Sequence, residues 1–206
     1  MAARRLPIKP AVFVLCLLPL AYLGWQAGTD ALGANPIEAI NRRLGDWALR
    51  FLLIGLAVTP LRKAFGWAEL ARYRRMLGLF AFFYAVLHVT SYVVLDQFFA
   101  WGEIWADIVK RKYITFGMVA LLLLVPLAAT STNAMIRRLG GLRWRRLHKL
   151  VYPAAAIACL HFFLMVKADI REPLVYASIL AVLLGYRLAL ARGWNRLWAP
   201  ARQPMR

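Results

Sequence analysis

Six apolar stretches, near 11–26, 47–61, 76–95, 114–130, 149–167 and 173–191, leave this 206-residue chain few ways to fold. A helix needs roughly 20 apolar residues to cross the hydrocarbon of a bilayer. Only helices and closed barrels satisfy their own backbone there. Apolar residues make up 62% of the sequence and the mean hydropathy is +0.59. The reading is an all-α integral membrane protein, a bundle of six transmembrane helices. The first two stretches are short for a span. Pro10 and Pro19 bracket part of the first, Pro60 closes the second, and an amphipathic flank at 40–50 would lengthen it.

Laid out as alternating spans, the connecting segments sort by charge. Those at 1–10, 61–75, 131–149 and from 187 onward hold 19 of the 27 Lys and Arg, with Glu69 as their one acid. Those around 27–50, 96–113 and 167–172 hold 8 basic and 8 acidic residues. Excess Lys and Arg marks cytoplasmic loops. The pattern therefore predicts a cytoplasmic segment 1–10, a membrane domain 11–191 and a cytoplasmic tail 192–206. Nucleic acid is excluded as the partner, because the basic residues are spread over inter-span loops where anionic membrane lipid accounts for them. Met1–Trp25 has the basic start and apolar middle of a secretory signal, but no clean small-x-small cleavage site follows. A retained signal-anchor is expected.

A histidine within hydrocarbon is costly and marks function by default. The third and fifth stretches carry one each, His88 and His161. Arg75 precedes His88 by 13 residues, and His148 precedes His161 by the same interval. At about 1.5 Å per residue, each histidine lies roughly 20 Å from its basic collar. Both spans run the same way, so the two sit at one depth, in the outer half. Ala85 and Ala81 lie three and seven residues before His88, and Ala158 and Ala154 hold the same offsets before His161. Small residues are ordinary at helix contacts in membranes. Repetition of the offsets behind both histidines favours a flat cofactor held between two helices.

Neutral imidazole ligates zinc, copper, iron and haem. Zinc or non-haem iron would want carboxylate or thiolate at the same level. Asp96 and Asp169 each lie eight residues beyond a histidine, and Cys159 is on another face than His161. Two histidines alone fit a bis-imidazole haem b suited to electron transfer. Cys16 and Cys159 read as small buried hydrophobes, and without C-x-x-C-H a haem would be held non-covalently. His148, in an Arg-rich run at the inner interface, is either an interfacial histidine or a ligand for a second, inner haem. On a straight helix it lies about 140° off the face of His161, a difference that Pro153 could correct by twisting the first turn. The matching place on the third span holds Arg74 or Arg75 instead of a histidine. No internal repeat, P-loop or dinucleotide fingerprint is found.

The collars Arg72-Tyr73-Arg74-Arg75-Met76-Leu77-Gly78 and Trp144-Arg145-Arg146-Leu147-His148-Lys149-Leu150-Val151-Tyr152 have His88 and His161 beyond them. Together they resemble the ferric-reductase-like transmembrane domain family, over nearly the whole chain. The W-R-R-L-H-x-L-x-Y stretch is the most specific part. Within that family the chain is similar to haem-binding membrane subunits of periplasmic methionine sulfoxide reductase systems. The resemblance implies a multi-pass protein of the bacterial inner membrane, a six-helix core carrying haem b, and associated FMN. Electrons would come from the quinone pool or a cytosolic flavin reductase. They would leave to a soluble molybdopterin-dependent methionine sulfoxide reductase in the periplasm. The chain would be the electron-transfer subunit and not the catalytic one. Larger ferric reductases and NADPH oxidases of the family carry four histidines and a cytosolic FAD/NADPH domain; three histidines and an end at Arg206 imply a separate donor.

On that reading Arg74, Arg75, Trp144, Arg145 and Arg146 form an inner collar that would hold an FMN phosphate or face a quinol, with arginine supplying forked donors. Anionic lipid is the plain alternative. In the loop 96–113, Trp101 and Trp105 are candidates for docking the periplasmic reductase, whereas Phe98 and Phe99 read as an aromatic belt. Two other functions stay open. One is a ferric or cupric ion reductase. The other is a transporter or anchor subunit with His88 and His161 as a proton relay, for which broken helices and repeats would be expected.

Overall fold

A computed structural model of the protein describes residues 8–166 and 168–192. The segment 1–7 and the tail 193–206, with their expected cytoplasmic charges, lie outside the described residues. Nine helices occur among the described residues: α1 (Ile8–Gly28), α2 (Pro36–Phe65), α3 (Arg74–Ser91), α4 (Trp101–Lys110), α5 (Lys112–Ala129), α6 (Asn133–Leu139), α7 (Gly141–Leu147), α8 (Val151–Met165) and α9 (Arg171–Ala191). Six stretches are long and apolar enough to cross a membrane: Ile8–Gly28, Pro36–Phe65, Arg74–Asp96, Lys112–Ala129, Gly141–Met165 and Arg171–Ala191. The protein is a multi-pass all-α membrane protein.

The second span is a 30-residue helix that takes in the 40–50 flank as expected, but starts earlier, at Pro36, and runs past Pro60, which was expected to close it. Local chemistry sets its ends. Asn35 caps the start: its side chain accepts from the Glu38 amide at 3.2 Å and donates to the Glu38 carboxylate at 3.0 Å. Pro36 occupies the first turn, where its missing donor costs nothing. Gly66 ends the helix at φ +70°, a conformation glycine adopts without strain.

Pro60 survives inside α2 because the carbonyl it orphans is satisfied. Without a donor at Pro60, the Leu56 carbonyl loses its partner four residues on, and the Arg187 guanidinium of α9 donates to it. The same guanidinium lies over the Tyr152 ring of α8. Beside Pro19 in α1 the ladder is bridged at the next step, between Leu20 and Cys16. The Tyr84 hydroxyl of α3 inserts into the ladder, donating to the Cys16 carbonyl at 2.9 Å and accepting from the Leu20 amide at 3.2 Å. Tyr84 is fully buried and stacks on Phe51 at 5.3 Å. A backbone group left bare in hydrocarbon costs several kcal/mol, so these two side chains hold the bundle together where proline would open it.

The bundle has two tight antiparallel pairs, α2 with α3 and α5 with α8. Across them α3 meets α5 and α2 meets α8, which puts α3 and α8 on one diagonal. Helix α9 closes against α2 and α8, while α1 lies outside against α2 and α3. Ala81, Ala154 and Ala155 are completely buried where the pairs meet.

Candidate functional site

The diagonal brings His88 and His161 together, their ring centres 6.2 Å apart. Two imidazoles bound on opposite sides of one metal ion, each at about 2 Å, would place their ring centres roughly 6 Å apart. Each ring is oriented by the neighbouring helix. His88 Nδ1 lies 2.9 Å from the Asn41 carbonyl of α2, and His161 Nδ1 lies 2.6 Å from the Tyr113 carbonyl of α5. A carbonyl only accepts, so Nδ1 carries the hydrogen and the neutral ring keeps its lone pair on Nε2. Each ring is thus held with Nε2 as its electron-pair donor, the atom by which an imidazole can ligate a metal.

Glycine makes both seats possible. A Cβ on Gly45 would stand 3.2 Å from His88 Nδ1 and Cε1, and one on Gly117 would stand 3.0 Å from the same atoms of His161. In each pair, residue i gives the carbonyl and residue i+4 is the glycine that clears room for the ring. Asn41 precedes His88 by 47 residues and Tyr113 precedes His161 by 48. This matched pair of seats was not found in the sequence. Gly45 sits among Arg42, Arg43 and Asp46, which marked its turn as a flank outside the membrane.

The expected small faces are present: Ala81 and Ala154 are fully buried, and Ala85 and Ala158 half-buried. Among the described residues no third His, Cys, Asp or Glu joins a cluster able to hold a metal. The donor set is two imidazoles, which fits a haem and leaves zinc and non-haem iron short of ligands.

His148 lies apart from this pair. A 3-10 turn at His148–Leu150 separates α7 from α8, so the local tightening comes there and not at Pro153. The His148 ring stacks on Trp144 at 3.9 Å and its Nδ1 lies 3.1 Å from the Trp144 carbonyl. Its Nε2 is the one fully buried side-chain nitrogen or oxygen without a hydrogen-bond partner among the described residues. Trp144 is fixed in turn, its indole donating to the Thr130 carbonyl at 2.9 Å. Arg75 donates to Asn133 at 2.6 Å, and Arg74, Arg145 and Arg146 are exposed.

The expected loop 96–113 contains the helix α4. It is pinned by Asp107, which accepts from the Tyr92 hydroxyl at 2.9 Å and pairs with Arg111 at 2.9 Å. Trp101 and Trp105 stand 65% and 68% exposed on one side of it. Phe98 and Phe99 precede them at φ +44° and +61°, strained values for bulky side chains.

A family model described as "Ferric reductase like transmembrane component" matches residues 44–159. A Rhodospirillum rubrum protein described as "Protein-methionine-sulfoxide reductase heme-binding subunit MsrQ" is 64% identical over 181 residues, covering 88% of this chain and 87% of its own. A Xanthomonas campestris pv. campestris protein of the same description is 55% identical over 197 residues, covering 93% and 88%. One from Xanthomonas oryzae pv. oryzae is 53% identical over the same length.

Proposed function

Because this chain belongs to the ferric-reductase-like transmembrane family, among its MsrQ haem-binding subunits, we propose that it carries electrons through a haem b held by His88 and His161. Their destination is a methionine sulfoxide reductase on the outer side of a bacterial inner membrane. The observation that carries this reading is the pair of imidazoles 6.2 Å apart, each fixed through Nδ1 to a backbone carbonyl. His88 and His161 would hold the haem, which would supply single-electron transfer there. The protein's part is to hold both rings in one tautomer, exclude water and set the depth of the site.

Charge sorting puts the basic end in the cytoplasm and His88 and His161 toward the periplasm. Reporter fusions after Arg192 and within 62–72 should then read cytoplasmic, and those within 100–108 periplasmic. The outer loop carrying Trp101 and Trp105 would receive the molybdopterin-dependent reductase. At the inner end Arg74, Arg75, Trp144, Arg145 and Arg146 supply donors for an FMN phosphate, loaded by a quinol or a flavin reductase. His148, with its unpartnered buried Nε2, favours a second reading in which it ligates an inner haem.

The experiment is spectroscopic. Purified protein should show a Soret band, and reduced protein should reoxidise quickly when the reductase and methionine sulfoxide are added. His148→Ala should keep most of the band, and Trp101→Ala should slow reoxidation with the band intact. Fast reoxidation by ferric chelates, but not by the reductase, would favour a metal-ion reductase.

A further inference from the structure

We propose that the cleft between α1 and the first half of α2 binds a phospholipid with a primary amine in its head, a phosphatidylethanolamine, its ammonium on Asp46 and its phosphate on Arg43. The cleft encloses about 430 Å³, walled by Pro19, Tyr22 and Gln26 from α1 and by Arg43, Asp46 and Arg50 from α2. Tyr22 and Trp25 stack on each other and stand 58% and 59% exposed, so this wall faces lipid. Gln26 lies two residues before the end of α1, and Arg43 seven after the start of α2. At about 1.5 Å per residue the cleft opens within roughly 10 Å of both helix ends. Tyrosine and tryptophan mark the border between headgroups and hydrocarbon at that depth. A phospholipid can enter sideways there with its tails left in the bilayer.

The charges around the cleft pair off and leave one of each sign. Arg42 pairs with Glu38 at 2.8 Å. Arg50 faces Glu172 of α9 at 3.8 Å, donates to the Tyr176 hydroxyl at 2.7 Å and lies over the Trp47 ring. Arg42 and Arg50 stand one turn either side of Asp46, and their charge acts on it against that of Glu172. Yet among the described residues Asp46 has no ion pair within 4 Å and no side-chain hydrogen bond. A carboxylate left so within a span is costly and marks function. Arg43 is engaged by the neutral Gln26 side chain and likewise has no acid within 4 Å among the described residues. Three residues apart on one helix, Arg43 and Asp46 present a cation and an anion side by side. A zwitterionic head laid against them meets both. Its phosphate accepts from the guanidinium and its ammonium donates to the carboxylate, and both bonds are charge-assisted. An anionic head without an amine would leave Asp46 bare, and a quaternary amine has no N–H to give it.

Gly45, the residue before Asp46, lies against His88. The lipid head and the imidazole therefore press on two faces of one helical turn, and a filled cleft steadies the seat of His88. A ligand that binds only the folded protein raises its stability.

The test uses the full-length haem-loaded protein, delipidated in detergent and titrated with dioleoyl lipids while native mass spectrometry counts the lipids bound. Phosphatidylethanolamine should bind in one tight equivalent, about tenfold tighter than phosphatidylglycerol or phosphatidylcholine, the scale of one charge-assisted hydrogen bond. Free phosphoethanolamine, which lacks the tails, should not displace it. Asp46→Asn should erase the preference over phosphatidylglycerol, and Arg43→Gln should weaken all three lipids. In nanodiscs, heat should release haem several degrees later with phosphatidylethanolamine than with phosphatidylglycerol, and Asp46→Asn should close that gap. Equal wild-type affinities for those two lipids would overturn the proposal without any variant. Displacement by free phosphoethanolamine would do the same, as would a preference that survives Asp46→Asn and is lost in Arg145→Gln. A protein with no Soret band would instead sink the haem reading, a distinct failure that leaves the lipid titration to decide.

Discussion

The two histidine seats solve one problem with different materials. His88 is held by polar groups: besides the Asn41 carbonyl, the Asn41 amide donates to Ser91 Oγ at 3.0 Å and to the His88 carbonyl at 3.3 Å. Ser91 donates to that same carbonyl at 2.8 Å. His161 has a shorter bond to its carbonyl, 2.6 against 2.9 Å, and a closer glycine, 3.0 against 3.2 Å. The Tyr113 hydroxyl accepts from Arg111 at 3.3 Å, outside the seat, while its ring lies tilted beside that of His161, centres 6.2 Å apart. One seat is tied by side-chain hydrogen bonds and the other by close approach of backbone. Either fixes a ring, and the tighter one has less room to give.

The largest effect should come from the ligands themselves. His88→Ala and His161→Ala should each abolish or nearly abolish the Soret band, since neither seat alone supplies both axial positions. A band of wild-type intensity in either variant breaks the pairing.

Overpacking should separate the seats. A methyl forced into a filled site costs about 1–3 kcal/mol. Gly117→Ala should therefore cut the haem-to-protein ratio more than Gly45→Ala, whose clash is milder by a few tenths of an ångström. Equal losses would mean that the His161 seat relaxes as easily as the other.

Smaller again is the polar tie. Asn41→Leu removes hydrogen bonds worth about 1 kcal/mol each and leaves the backbone carbonyl in place. Thermal loss of haem should come a few degrees earlier, with an unchanged spectrum. Tyr113→Phe removes a hydroxyl that takes no part in its seat and should change haem retention least. A larger effect from Tyr113→Phe than from Asn41→Leu would reverse the assignment of materials.

The helices were legible in the sequence because an apolar run long enough to span lipid has one stable outcome. His88 and His161 were legible because hydrocarbon makes a titratable ring conspicuous. The lengthening of the second span by the 40–50 flank was expected, but its start at Pro36 was not, because Arg42, Arg43, Asp46 and Arg50 put charge on that part of the helix. Those charges are tolerated because α1 and α9 cover them: Gln26 receives Arg43, and Tyr176 with Glu172 receives Arg50. A window of hydropathy cannot anticipate partners on other helices, 17 residues away for Gln26 and 126 for Tyr176.

By itself, then, the sequence determined the number and kind of spans, the sorting of charge between the two ends, and the equal depth of two histidines. Each follows from transfer free energies that act residue by residue. Only the tertiary structure decided that α3 and α8 lie on a diagonal with 6.2 Å between the rings, and that Asn41 and Tyr113 fix the tautomers. It alone set Gly45 and Gly117 as the floors of the seats and left Asp46 facing a cleft. Those features depend on which faces of two helices meet, and that is set by packing across the bundle, where no single stretch of chain carries the information.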